Sequence, residues 1–259
     1  MNKNKNFNKF LNKLVFIIPA RMDSSRFYGK PLKKLNNKPI IEMVYNNCLN
    51  SSFCKKVIIA TDSKEIKEFC KKNNFNVMMT KKHNCASNRV AEVANKLNDK
   101  WIVEMQGDEP LLFKKLIDKW LKKILNNMKK NNDTDVYVST AKLSYHLADN
   151  PNFVKLIKDS DDIIKWFSRS KIPSDWKGLF KSEIYRHTGF HLWKNTSLIR
   201  FASIKPCLAE ISEDTHAVRL VKNNFIAKSI FLEDTQSIDV PSDLKKAKLI
   251  LKKIDIIGL

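Results

Sequence analysis

Short unbroken apolar runs alternate along the chain with stretches whose apolar residues recur every three or four positions. That is the pattern of buried strands interleaved with amphipathic helices. Leu14 to Ile18 is the first run and ends abruptly at Pro19. Pro39 then opens a helix at its first turn, with Ile40, Ile41, Val44 and Tyr45 on one face. Val57 to Ala60 reads as a strand, and Thr61-Asp62-Ser63 supplies the cap of a helix running to about Lys72. Val77 to Met79 predicts a strand, Ala86 to Leu97 a helix, Trp101 to Met105 a strand, Lys114 to Met128 a helix and Asp135 to Lys142 a strand. Further on, Ala209 to Val221 reads as helix, Phe225 to Ile230 as strand and Pro241 to Lys253 as a closing helix.

Such alternation predicts an α/β fold with a mostly parallel central sheet and helices on both faces. The stretch at about 150–190, with Pro151, Pro173 and Gly178, predicts a smaller inserted lobe of extended segments. Residues 1–13 form a polar leader of alternating asparagine and lysine, and 14–259 a single domain carrying that lobe.

Charge changes this picture less than its size suggests. The formal net charge is +21, yet only seven of the 48 basic residues are arginine, and the lysines are scattered through nearly every segment. Scattered lysines mark solvated faces, and no cluster of arginine with aromatic residues points to nucleic acid. A non-catalytic polyanion-binding protein on the same fold is the alternative of another class, and strongly salt-sensitive RNA binding would be its mark. The five cysteines contain no C-x-x-C pair, so neither a disulfide framework nor a zinc knuckle is implied. The leader lacks the apolar run of a signal peptide, and no segment approaches the roughly 18 to 20 apolar residues of a membrane span. These features predict a cytoplasmic protein with no membrane or nucleic-acid partner.

Two segments carry candidate chemistry. Pro19 to Leu32, directly after the first strand, holds Arg21, Arg26 and Lys30 with Ser24, Ser25 and Gly29. A loop of this kind wraps a polyphosphate: hydroxyls and amides donate, and the cations offset charge on a departing pyrophosphate. Its spacing is not that of the Walker A loop. Gln106-Gly107-Asp108-Glu109-Pro110 follows the strand at Trp101–Met105, on the sheet edge where open α/β folds bind ligands. Asp108 there, with Asp239 between a late strand and the closing helix, can hold Mg²⁺, a cation that takes few protein ligands. Asp243 reads as a helix-start residue.

Taken in order, Ile17-Ile18-Pro19-Ala20-Arg21, Ser25-Arg26, Gly29-Lys30-Pro31-Leu32, Lys38-Pro39-Ile40, Ala60-Thr61-Asp62, Gln106 to Pro110, Phe167-Ser168-Arg169, Arg186-His187-x-Gly189 and Ile238-Asp239-x-Pro241-x-Asp243-Leu244 resemble the 3-deoxy-manno-octulosonate (Kdo) cytidylyltransferases, or CMP-Kdo synthetases. The resemblance spans about residues 14–254. It implies a Rossmann-like nucleotidyltransferase fold, a homodimer, dependence on Mg²⁺, and formation of CMP-Kdo from CTP and the free sugar acid. It further implies that Arg21 and Lys30 engage the triphosphate, with Ala20, Ser24, Ser25 and Arg26 in the same loop, and that Asp108 and Asp239 hold the metal. Gln106 would position substrate or base. The run from His83 to Arg89, including Ala86 and Ser87, would lie along the cytosine, although Cys85, Ala86, Ser87 and Asn88 depart from the family's pattern.

On the acceptor side, Arg169, His187 and Glu213 fit the family's sugar-acid site. Two departures stand there. The aromatic residue expected four positions after His187 is His191, and a Glu-Gln pair that reads sugar hydroxyls is His216-Ala217. Unmatched buried polar groups cost about 1 to 3 kcal/mol each, so these changes also admit a different acid. The alternatives are an amino-ulosonate, another capsule sugar acid, or a phosphonate whose own oxygen attacks CTP.

Overall fold

The first strand shows why its sequence is apolar on both faces. In a computed structural model, which describes residues 13–23, 26–128, 133–178, 182–233 and 235–257, β1 (Leu14–Ala20) is wholly buried. Phe16 and Ile18 face one core and Val15 and Ile17 the other, as a period of two requires. Pairing of β2 (Lys34–Leu35) with β3 (Lys38–Pro39) makes a small separate hairpin that leads into α1 (Ile40–Leu49). Next come β4 (Cys54–Thr61), α2 (Lys64–Lys72), β5 (Val77–Met79), α3 (Ala86–Ala94), β6 (Trp101–Met105) and α4 (Lys114–Met128). Ser63 caps α2, its hydroxyl accepting from the Ile66 amide at 3.2 Å.

The second half supplies β7 (Val136–Leu143), β8 (Lys155–Lys158), β9 (Ile164–Ser168), β10 (Ile184–Lys194), α5 (Asn195–Ser203), α6 (Leu208–Ser212), α7 (Val218–Lys222), β11 (Ala227–Phe231) and α8 (Pro241–Ile257). The main sheet runs β11-β7-β10-β6-β1-β4-β5, with β8 and β9 branching from β10. Every neighbouring pair along that path is parallel except those of β10, which is antiparallel to both β6 and β7. Helices α1 and α4 cover one face through Ile41, Val44, Ile117 and Trp120, and α8 joins them through Ala247 and Leu251. On the other face α3, α5 and α7 contribute Val90, Val93, Leu198, Phe201 and Val218.

Four elements differ from the sequence reading. The helix expected over 209–221 is two short helices, broken where Asp214 takes a left-handed φ of 43°. Helix α5 and strand β10 have no counterpart in the pattern, because β10 is buried on both faces and its polar residues are concentrated where it bulges. Pro19 lies inside β1 rather than ending it. Pairing to β6 stops two residues earlier, at Ile17, so its missing amide hydrogen breaks no ladder on that side. Among the described residues no helix is long and apolar enough to cross a membrane.

Chain order fixes the location of the crevice. From β1 the chain moves outward to β4 and β5, then returns to place β6 on β1's other side. The ends of β1 and β6 therefore part at a topological switch point, the place where open α/β sheets bind ligands.

Under this face, Arg219 of α7 is 1% exposed and its Nε donates to Glu210 of α6 at 2.8 Å, joining the two short helices. Removing one partner leaves a buried unpaired charge, which costs about 3–5 kcal/mol. Glu210→Ala is expected to lower the free energy of unfolding by that much, read as a lower urea midpoint; an unchanged midpoint would show that the pair contributes nothing net.

Candidate active site

Two adjoining cavities open at the switch point. The first is bounded by Ala20, Arg21, Arg26 and Lys30 after β1, by Asn84, Cys85, Ala86 and Arg89 around the start of α3, and by Gln106, Gly107 and Asp108 after β6. The amino end of α3 faces into it, where unpaired amides and the helix dipole favour an anion. The second cavity is lined by Arg186, His187, Thr188 and Gly189 of β10, by Glu109, and by the segment from Thr235 to Asp239. Arg26, Gln106, Asp108 and Asp239 line both. The two spaces thus form one cleft with a shared waist.

Local backbone geometry places the charges at that waist. Gly29 has φ 69°, a left-handed turn that starts a short 3-10 segment at Lys30. The Lys30 ammonium then lies 2.6 Å from Asp108 Oδ2 and 3.7 Å from Asp239 Oδ1, and Arg26 is 3.5 Å from Asp239 Oδ1. One backbone bond, Ile238 N–H to Asp108 O at 3.0 Å, ties the two acidic segments together. Asp243 fixes the second segment from behind, its Oδ2 accepting from the amides of Asp239 at 2.9 Å and Val240 at 3.1 Å.

No group of three or more His, Cys, Asp or Glu among the described residues is arranged to hold a metal. Two carboxylates sharing one ammonium nevertheless fit Mg²⁺, which takes one or two carboxylates and completes its shell from phosphate and water. Beside them Glu109 is buried, with Thr235 Oγ1 donating to it at 3.0 Å. Burial first, and the neighbouring charge of Asp108 next, push its carboxyl up to about 8.

The residues singled out from sequence fall into four groups. Ala20, Arg21, Arg26, Lys30, Ala86, Arg89, Gln106, Asp108 and Asp239 line the first cavity, and His187 lines the second. Arg89 is nearly buried and held by Thr80 Oγ1 at 2.6 Å and Asp62 Oδ2 at 3.0 Å. Ser24 and Ser25 lie outside the described residues. Ser87, His191 and His216 sit behind the cavity walls in a buried cluster around Glu104. Arg169 and Glu213 stand apart from both cavities and form a clamp. The Arg169 guanidinium donates to the carbonyls of Pro151, Glu213 and Asp214, while Glu213 accepts from Ser168 Oγ and the Arg169 amide.

The residue that sequence reasoning passed over is Arg186. It lines the second cavity, donates to Thr235 O at 3.3 Å and lies 5.3 Å from the Phe153 ring centroid. Its scarcity value as one of seven arginines, next to His187, was the available signal. Glu104 was passed over too, since a lone glutamate in an apolar run gives no hint that it is fully buried.

The comparisons with known proteins agree with this geometry. The sequence profile described as Cytidylyltransferase matches residues 15–242. The chain belongs to the cytidylyltransferase family. A 3-deoxy-manno-octulosonate cytidylyltransferase of Chlorobium phaeobacteroides (strain BS1) is 32% identical, covering 93% of this chain and 97% of the relative. The enzyme of that name from Geotalea uraniireducens (strain Rf4) is also 32% identical, covering 93% and 100%. Among solved structures, a CMP:2-keto-3-deoxy-manno-octonic acid synthetase complexed with CTP superposes with a TM-score of 0.84 at 26% identity, covering 93% of this chain and 99% of the other. This cytidylyltransferase therefore shares with them the α/β nucleotidyltransferase fold whose cleft is described above.

Gly189 lets the cleft's waist close. A Cβ built there would lie 2.2 Å from Gln106 Cγ, so only a bare backbone lets the Gln106 side chain lie across β10. Gly189→Ala is expected to displace Gln106 and lower turnover on the order of 10²-fold, with a small change in Tm; retained turnover would remove Gln106 from the cytidylyltransferase's working parts. Glu109 gives a second test. Between its ordinary 4.5 and about 8 the folded chain holds a proton that the unfolded chain has released, so stability falls as pH rises through that window. In chelator-containing buffer Tm is expected to decline across it, and Glu109→Gln to flatten the decline.

Proposed function

We propose that this cytidylyltransferase transfers CMP from CTP to a sugar acid of the 3-deoxy-manno-octulosonate type, releasing pyrophosphate. One observation carries the reading: Asp108 and Asp239 meet at Lys30 where the two cavities join. A nucleotide in the first cavity and an acid in the second would bring their reacting atoms to that waist. Support comes also from the relatives' names and from the CTP held by the similar solved structure.

In this reading Arg21, Arg26 and Lys30 bind the triphosphate and offset charge as pyrophosphate departs in line from the α-phosphorus. The amino end of α3 and the backbone at Ala86 bind the base side, so the side chains of 85–88 need not match the family's. Arg186 binds the acid group of the acceptor with its planar fork. Gln106, at the waist, orients both substrates and so converts an encounter into an aligned pair. Asp108 and Asp239 would hold Mg²⁺, which supplies charge neutralisation and lowers the pKa of the attacking hydroxyl. Glu109, kept protonated by burial, adds no further negative charge beside the leaving group. The protein would work in the cytoplasm, where CTP is found, and as a homodimer like the family it resembles.

Incubation with CTP, Mg²⁺ and a panel of acids, read by pyrophosphate release, is the direct test. Release with a ulosonate is the expected outcome, and Asp108→Asn is expected to reduce it by roughly 10²-fold or more. Full turnover of Asp108→Asn would exclude this role for the carboxylate, and release with a phosphonate alone would replace the acceptor class.

A further inference from the structure

A buried polar cluster lies between the two cavities, and the charge of one residue dictates the direction of its hydrogen bonds. Glu104, on β6, is fully buried. Its carboxylate accepts from Ser87 Oγ at 2.9 and 3.0 Å, from Gln106 Nε2 at 2.9 Å and from Trp193 Nε1 at 2.8 Å. His191 Nδ1, buried and without a hydrogen bond of good geometry, stands 3.4 Å from the same carboxylate. Although burial works against ionisation, His191, His216 and Ser87 together hold this carboxyl below its usual range. An ionised carboxylate only accepts, so Ser87, Gln106 and Trp193 must donate, and its charge favours the His191 tautomer that turns a proton on Nδ1 toward it.

His191 is brought to its partner by an irregularity in β10. Four residues along a regular strand span about 13 Å, too far for ring contact. Here His187 pairs with Thr140 and His191 with Val138, so four steps on β10 oppose two on β7. The extra residues bulge, and the two rings stack with centroids 4.9 Å apart and Nε2 to Nε2 at 2.7 Å.

The directions then propagate. With its proton on Nδ1 toward Glu104, His191 offers a lone pair at Nε2. His187 must donate from Nε2, which leaves Nδ1 as the accepting nitrogen of a ring lining the second cavity. Burial pushes His187 well below its usual range and keeps it neutral, and the nearby charges of His216 and Arg186 act the same way. Gln106 has its NH₂ tied to Glu104, which leaves its carbonyl oxygen for a ligand, and Gly189 holds the side chain in that pose.

We propose that Glu104 is the positioning residue of the acceptor cavity. Through Gln106 and the His191–His187 pair it presents two hydrogen-bond acceptors beside the Arg186 cation, which meet hydroxyl groups of the acceptor. This rests on the function proposed above and assigns the group that orients its acceptor-side residues.

The test begins with the wild-type protein, labelled with ¹⁵N-histidine and observed without substrate near neutral pH. Long-range proton–nitrogen spectra, assigned through the His187→Asn and His191→Phe variants, are expected to show His187 as the neutral Nε2–H tautomer and His191 with its proton on Nδ1. A His187 protonated on Nδ1, or a doubly protonated His191, overturns the proposal. Kinetics give the second readout: Glu104→Gln is expected to raise the acceptor's KM roughly tenfold or more while leaving the KM for CTP within about twofold. An equal rise in both, or none, also overturns it. If the wild-type protein releases no pyrophosphate with any acid, the function reading falls, and the tautomers still decide whether Glu104 sets the directions.

Discussion

A single ammonium between two carboxylates organises the cleft. Lys30, Asp108 and Asp239 come from three distant parts of the chain, and each is placed by backbone rather than by side-chain packing. A left-handed glycine sets the lysine, a switch-point strand end sets Asp108, and the amide of Ile238 carries Asp239 to it. Like charges so close would repel in a partly dry site, and the lysine offsets that repulsion. Burial first, and the charge of Asp108 next, push the Glu109 carboxyl beside them up to about 8.

The α/β framework was legible because strands buried on both faces leave unbroken apolar runs, and all seven strands and helices expected between Val57 and Lys142 are present with ends shifted by a few residues at most. Where the reading stopped short, the cause is tertiary. Strand β10 mixes Arg186, His187, Thr188 and His191 into an apolar background, and no two-residue period survives its bulge. Asp214 divides a helical-looking segment by taking a conformation that its neighbours do not announce.

Much the same division holds for the cleft. Residues in glycine-containing loops at strand ends were visible, because a loop with Arg21, Lys30 and hydroxyl groups has few structural uses. On the acceptor side His187 was visible, but the rest were not, because their positions depend on strand pairing. His191 and His216 read as substrate contacts, yet neither lines either cavity, and both stand near Glu104. Arg186 needed the fold to show that its neighbour's cavity is also its own.

Late arrival of Asp239 has its own consequence. The eleven strands among the described residues are complete by Phe231, so every ladder precedes Asp239 in the order of synthesis. The helix that follows Asp239 adds Ala247 and Leu251 to the core, so the segment that delivers this carboxylate is also the one that finishes covering a face of the sheet.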